Sequence, residues 1–387
     1  MKVLLLTNPG IEEVSKKEVN ELLDVPENKI KTIYGGILFD VKSFQEIVYL
    51  CYLCRSARRI LYYFSEFDDA KKLESIKFEK EFVDFFDETT TFSVRLEKNK
   101  KSNFDKAFSK SLKDVKNATN EFEKAVADKI FELLEKGKIM PKVDLKKPQV
   151  PVIAYISDSK TYLGIDFAGF DLSTRPYRAF NNPRELKSNI CYSISRIAEF
   201  NGSEKIAVLD CLSGIIPIEA ALHSNYKSVF YYNKKDFSFH NFLPLTIINT
   251  QQELTRIDSE MLYVKTNVFA LSDDVRSVNA TNKNAKVCNI AEAFNISKVA
   301  LDFLDTKFDK NSLDSLIVQR IDNFYEVFNQ AKYVLRKGGN ILLILYSKKE
   351  DDKISKIAKE NGFSLENEYE IETGNSSVFL RKFLKKK

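Results

Sequence analysis

The best-placed group of chemistry-bearing residues in this chain lies in residues 206–222, I-A-V-L-D-C-L-S-G-I-I-P-I-E-A-A-L. Ile206, Ala207, Val208 and Leu209 form a short apolar run that reads as a buried strand. Asp210 to Gly214 read as a turn, and Pro217 falls where a first helical residue tolerates proline. Strand, turn and helix in that order place Asp210, Ser213 and Gly214 at the carboxyl end of a strand. In an open α/β sheet a nucleotide-like ligand sits there, its polar groups facing the loop backbone and the helix N-terminus. Ile215 and Ile216 follow the glycine directly, and isoleucine strongly resists positive φ.

Other chemistries find less support. Cys51 and Cys54 form the one C-x-x-C, but they sit in an amphipathic pattern expected to be a single helix over residues 44–64, with no second pair, so they read as core rather than zinc ligands. His223 and His240 are the only histidines, too few for a histidine-rich metal site, and no metal is expected. Five scattered cysteines make no disulfide framework. The leucines of residues 1–7 meet Pro9-Gly10 at once, too short for a secretory signal, and no apolar run nears the roughly 18 residues of a membrane span. A cytosolic chain of two or three domains, with no membrane contact, is the expectation.

The elements that must hold the turn in place are legible in order. Residues 1–67 read as strand, helix (11–23), strand (31–41) and helix (44–64), a small α/β layer. Residues 91–167 carry F-S-V-R-L-E-K-N-K-K-S-N-F, V-D-L-K-K-P, and two alternating strands, 150–157 and 161–167, about a polar turn. Between Arg95 and Lys147 there are fifteen Lys/Arg against nine Asp/Glu, an excess of six in a chain whose whole net charge is +5. Such a concentration fits phosphate binding; the alternative is a solvated lysine-rich helix face. Residues 171–199 read as a basic linker entering a helix near Pro183.

Taken together these stretches resemble the archaeal THUMP-domain tRNA (guanine-N2) methyltransferases, class I S-adenosylmethionine-dependent enzymes. The turn resembles their motif I, D-P-x-C-G-x-G-T-x-P-I-E-A-A, through Asp210, Gly214 and Pro217 to Ala221. Arg95, Asn103-Phe104, V-D-L-K-K-P and Y-L-G-I-D resemble the THUMP module, which in the family holds the 3′ acceptor end of tRNA. The resemblance implies a ferredoxin-like region over 1–67, a THUMP domain over 68–170, a linker and helix over 171–199, and a Rossmann-fold domain with a mixed seven-stranded sheet over 200–387. It also implies tRNA or another structured RNA as partner, bound through Arg95, Lys98, Lys100, Lys101 and Asn103, with a protein partner left open and DNA not expected. Arg175 and Arg178 either touch the RNA backbone or pack the domains together.

The departures from the family pattern fall in one pocket. Eight residues separate Asp210 from Glu219 where the family keeps ten. Ser272 stands where a carboxylate should accept the ribose hydroxyls, and its neighbour Asp273 is expected to point to the opposite face of the strand. Ala300 replaces the aspartate for the adenine amino group. Gln319-Arg320-Ile321-Asp322 replaces the N-P-P-Y that positions the target amine. The expectation is therefore a degenerate relative whose cofactor residues (Asp210, Ser213, Gly214, Ser272, Asp273) are vestigial and whose catalysis is lost or impaired. The alternative is an active methyltransferase with a remodelled pocket.

Overall fold

A computed structural model of the chain describes residues 1–68, 76, 78, 80–100, 102, 104, 112–158, 160–319, 323–349, 351–374 and 376–386. They form two compact units, one of residues 1–172 and 234–257, the other of residues 173–233 and 258–387.

The first unit is built on an eight-stranded sheet ordered β2-β3-β1-β4-β8-β7-β5-β6. Its elements in chain order are β1 (Lys2–Leu6), α1 (Glu12–Leu23), β2 (Lys31–Ile33), β3 (Gly36–Asp40), α2 (Phe44–Leu53), β4 (Arg59–Asp68), β5 (Thr91–Lys98), α3 (Leu112–Lys136), β6 (Lys142–Val143), β7 (Val150–Ser157) and β8 (Lys160–Asp166). The expected strand over 31–41 is a hairpin, because Gly35 takes the left-handed conformation, φ +78°, and reverses the chain. The expected helix over 44–64 stops at Leu53 and continues as β4. Glu18 on α1 is the cause. Its carboxylate accepts the backbone N–H of Arg55 at 2.7 Å and of Ser56 at 2.9 Å, together with the Cys54 thiol at 3.1 Å, so a following turn of helix loses its donors. Cys51 and Cys54 are both buried, and burial pushes both thiols up. The expected division at residue 67 falls inside a continuous sheet, since β4 pairs with β8.

Lys234–Ile257 joins this unit through aromatic packing. Phe237, Phe239 and Phe242 are buried, with Phe242 centred 5.5 Å from Phe85 and 5.1 Å from Phe167. The N–H groups of Ser238 and Phe239 donate to the carbonyls of Ala168 and Phe167.

The second unit carries the seven-stranded mixed sheet, ordered β11-β10-β9-β12-β13-β15-β14. Its elements are α4 (Ser188–Ile197), β9 (Ile206–Leu209), α5 (Ile215–Ser224), β10 (Val268–Ser272), α6 (Val275–Val287), β11 (Asn295–Lys298), β12 (Leu313–Val318), α7 (Phe324–Val334), β13 (Leu335–Leu345), α8 (Asp351–Glu360), β14 (Phe363–Thr373) and β15 (Ser376–Lys385). Strands β9 to β13 pair in parallel and β15 runs antiparallel to β13 and β14. The central strands are apolar on both faces, as a parallel sheet covered on both sides requires. Leu316, Val318, Phe328, Leu343 and Phe383 lie in one core cluster under α7 and α8. Among the described residues no helix is long and apolar enough to cross a membrane.

Candidate functional site

β9 pairs in parallel with both β10 and β12, with Leu209 opposite Leu271 and Val318. Ser272, the last residue of β10, and the residues that follow these strands, Asp210, Asp273 and Gln319, therefore share the carboxyl edge of the sheet. That is where the sequence placed the ligand.

The turn after β9 is compact. Asp210, Leu212 and Gly214 have φ of 53°, 52° and 84°, so the left-handed positions fall there and Ile215 and Ile216 begin α5 in ordinary helical geometry. Leu212 at positive φ costs about 1–2 kcal/mol. Gly214 is required twice over, by its φ and because a Cβ there would run into the Thr281 side chain on α6. Pro217 is the third helical residue rather than the first, still within the turn whose N–H groups have no intrahelical partner.

The chain itself supplies partners to this turn from four sides. The Ser213 hydroxyl and the Ile215 N–H, the latter at 3.1 Å, donate to the Glu185 carboxylate. Asn284, from N-A-K on α6, donates to the Ser213 carbonyl at 3.0 Å and to the Phe180 carbonyl at 2.8 Å, while its own carbonyl accepts the Phe180 N–H. Ser272 donates to an Asp210 carboxylate oxygen at 3.3 Å. Gln319, 4% exposed, donates its side-chain amide to the Asp210 carbonyl at 3.1 Å. Gln319 thus faces inward and braces motif I. Arg320, Ile321 and Asp322 lie outside the described residues.

Glu185 precedes α4, which begins at Ser188 rather than near Pro183. Burial pushes its carboxyl up, and the N–H groups of Ile215 and Ser213 and the Arg178 guanidinium only partly offset this, leaving it at about 7. Tyr346, just past β13, donates to the Arg184 carbonyl at 3.3 Å, and its hydroxyl is pushed up by burial and by the fields of Cys191, Glu185 and Asp210.

Beside this closed region is an open one. A cavity of about 300 Å³ is lined by Leu209, Asp210, Asp273, Ala300, Asp302 and Asn323 among others. Asp273 reaches it because β10 ends at Ser272, so the alternation that would turn Asp273 away no longer applies at that residue. Asp302, two residues beyond Ala300, also lines it. A second cavity of about 310 Å³ lies along the same turn, lined by Asn181, Asn182, Leu212, Ser213, Asp274 and Arg276 among others. A groove of about 630 Å³ opens beside the segment that precedes β10; Lys265 and Lys286 on it face solvent, and Lys227 donates to the Asn289 carbonyl at 3.1 Å.

The residues therefore fit S-adenosylmethionine only in part. The cavity with its carboxylates suits ribose hydroxyls and an adenine amine. The helix N-terminus that would face an anionic group already holds the Glu185 carboxylate.

Arg175 is fully enclosed and cannot contact RNA. Its Nε donates to Glu219 at 2.8 Å, and the Tyr177 hydroxyl donates to the same carboxylate oxygen at 2.7 Å. The Glu of P-I-E-A-A is thus a buried anchor within the second unit. Arg178 is half-buried on the Leu186 carbonyl. On the first unit, Arg95 is exposed and donates to the Leu145 carbonyl at 2.6 Å, Lys98 lies 5.2 Å over the Phe104 ring, and Lys100 is exposed. Asp144 accepts the N–H groups of Lys146 and Lys147, fixing a turn beside which Val143 and Leu145 are 51% and 57% exposed. Lys101 and Asn103 lie outside the described residues.

Sequence reasoning missed Glu185, Asp302, Asn323 and the clamp made by Asn284. The one available signal was the carboxylate in N-N-P-R-E-L-K, an acidic residue in a basic stretch just before an apolar helix.

Comparison with known proteins bears on this arrangement. Residues 175–374, just over half of the chain, match the family described as RMKL-like, methyltransferase domain, and residues 81–166 match the THUMP domain. A tRNA (guanine(6)-N2)-methyltransferase of Archaeoglobus fulgidus is 38% identical over 82 residues, 21% of this chain and 21% of that protein. A ribosomal RNA large subunit methyltransferase K/L of Colwellia psychrerythraea is 30% identical over 158 residues, 39% of this chain and 22% of that protein. The chain thus spans only about a fifth of the length of these two curated relatives. The solved structure of SMU.472 complexed with SAH shares the fold, with a TM-score of 0.73 at 17% identity, covering 100% of this chain and 98% of that one. The chain belongs to the RMKL-like methyltransferase family, with a THUMP domain and a class I methyltransferase fold.

Proposed function

We propose that this chain is a THUMP-domain RNA-binding protein that binds tRNA in the cytosol and in which methyl transfer from S-adenosylmethionine is lost or impaired. The observation that carries the reading is that the motif I turn and Gln319 bond to each other and to Glu185, Ser272 and Asn284. A loop whose Ser213 hydroxyl and Ile215 N–H are already bound internally gains little from a ligand that must displace their partner. RNA binding is supported by the THUMP match, by the exposed cations Arg95 and Lys100, and by the exposed Leu145 whose carbonyl Arg95 meets. With Lys98, and with Lys101 and Asn103 by resemblance, they form the RNA-contacting set, within a THUMP region proposed over 68–170 and preceded by a ferredoxin-like layer over 1–67. The connector 171–199 and the Rossmann-like domain 200–387 then serve as scaffold, with a protein partner left open.

A second reading, an active enzyme with a remodelled pocket, is favoured by the open cavity and its carboxylates Asp210, Asp273 and Asp302. Tritiated methyl transfer to unmodified tRNA separates the two. No transfer by the wild type is expected; transfer abolished by Gln319→Ala overturns the first reading in favour of the second. RNA affinity that ignores salt and survives Glu replacements at Lys98 and Lys100 removes the RNA reading itself.

A further inference from the structure

The two halves of the site disagree about S-adenosylmethionine. That molecule is an adenosine joined through a sulfonium to an amino-acid tail, so it carries a purine, two ribose hydroxyls, an ammonium and a carboxylate. The nucleoside half finds a cavity of about 300 Å³, near the lower end of the roughly 300–1,000 Å³ of small-molecule sites. Asp273, Asp302 and Asn323 line it, two carboxylate acceptors and an amide. The tail leaves such a cavity along the turn, past Asp210 toward Ser213 and the start of α5. There the Ile215 N–H and the Ser213 hydroxyl, the donors a carboxylate would seek, already bind the carboxylate of Glu185.

We infer that this pocket takes a purine nucleoside ligand that lacks a carboxylate tail, and that Glu185 is the residue that turns S-adenosylmethionine away. The inference rests on the reading that methyl transfer is lost. Glu185 acts by filling the donors: a tailed ligand must displace it or leave its own carboxylate without those hydrogen bonds. The charge around it offers the tail little compensation. Asp210 and Glu185 lie near the same edge, with their fields felt together at the Tyr346 hydroxyl, so a further carboxylate there gains no cation from Asp210. Arg178 faces Glu185 but donates to the Leu186 carbonyl. Arg276, which lines the second cavity, is 94% exposed in its side chain and pairs with Asp274 at 3.5 Å.

The test is calorimetric titration of the full chain with three probes: S-adenosylmethionine, S-adenosylhomocysteine and 5′-methylthioadenosine, which keeps the adenosine and sulfur and lacks the amino-acid tail. Wild type, Glu185→Ala and Glu185→Gln are compared, with melting curves to verify folding. Wild type is expected to bind 5′-methylthioadenosine more tightly than either tailed probe by about tenfold or more. Glu185→Ala should narrow that ratio by about tenfold, and Glu185→Gln, which removes charge but keeps bulk, by less. Equal affinity for tailed and tailless probes in the wild type, no binding of 5′-methylthioadenosine, or a ratio unchanged in folded variants overturns the inference. Should Glu185→Ala not fold, the wild-type ratio and Glu185→Gln decide. Tritiated methyl transfer run in parallel keeps the two readings apart: no transfer with no nucleoside binding sinks only this inference, whereas transfer by the wild type sinks the functional reading.

Discussion

The turn after β9 and the end of β5 are two polar regions with opposite arrangements. At the β9 turn, Ser213, Asn284 and Gln319 are buried, and the Ser213 hydroxyl, the Ser213 carbonyl and the Asp210 carbonyl each meet a side chain of the same unit. Along β5 and just past its end, Arg95 and Lys100 face solvent, and Arg95 donates to the carbonyl of the exposed Leu145. A buried polar group needs its partner for stability, whereas an exposed one can be exchanged at little cost to the fold. The contrast teaches where each kind of residue acts: the first set lies inside the fold, and the second lies at its surface.

Four measurements can break or sharpen that contrast. The largest effect is expected from Arg175→Leu, which leaves the Glu219 carboxylate enclosed without its cation and costs about 3–5 kcal/mol by urea unfolding. A loss under about 1 kcal/mol would mean that the inward network is not structural. Glu185→Gln comes next, and its effect depends on pH. The carboxyl has an ordinary value of 4.5 and about 7 when folded, so the folded state holds the extra proton in that window. Wild-type stability from this group is highest below about 4.5, falls as pH rises through the window, and is fully lost above about 7. Relative to wild type, Glu185→Gln should gain up to about 3 kcal/mol between pH 4.5 and pH 8. A pH-independent difference would place Glu185 in solvent. Asp273→Asn and Asp302→Asn test the open half, and each should weaken a bound nucleoside by about 1.5–3 kcal/mol in titration while leaving unfolding unchanged. The smallest effect on stability is expected for Lys98→Glu with Lys100→Glu, within about 0.5 kcal/mol. These replacements should nevertheless weaken tRNA binding and flatten its dependence on salt. A large drop in melting temperature would make the end of β5 structural too.

What the sequence revealed follows the range of the interactions involved. The strand, turn and helix at 206–222 were readable because an apolar run, a glycine and a proline act on their immediate neighbours. The mixed seven-stranded sheet followed from the resemblance. The helix that ends at Leu53 was misread because its terminator, Glu18, lies on α1, 36 residues before Cys54. Asp273 was read as facing away because the strand was assumed to continue past Ser272. Glu185 was invisible for the same reason as Glu18: its donors lie 28 and 30 residues away, and a lone carboxylate among arginines looks like a surface residue. Arg175 was taken for a candidate RNA contact because charge alone does not say which way a side chain points.

The segment Lys234–Ile257 has a consequence for how the protein is made. It contributes Phe237, Phe239 and Phe242 to the aromatic packing of the first unit, yet it is encoded within the second. Translation delivers residues 1–172 long before these rings exist, so Phe85 and Phe167 emerge from the ribosome without the Phe242 ring that covers them. The amino-terminal unit must therefore stay incomplete until residue 257 has been synthesised, and a gene fragment ending near residue 172 should yield a sticky, partly folded product. Two separately expressed halves would have to exchange a segment to restore both folds, which makes this chain a single unit of biosynthesis despite its two compact units.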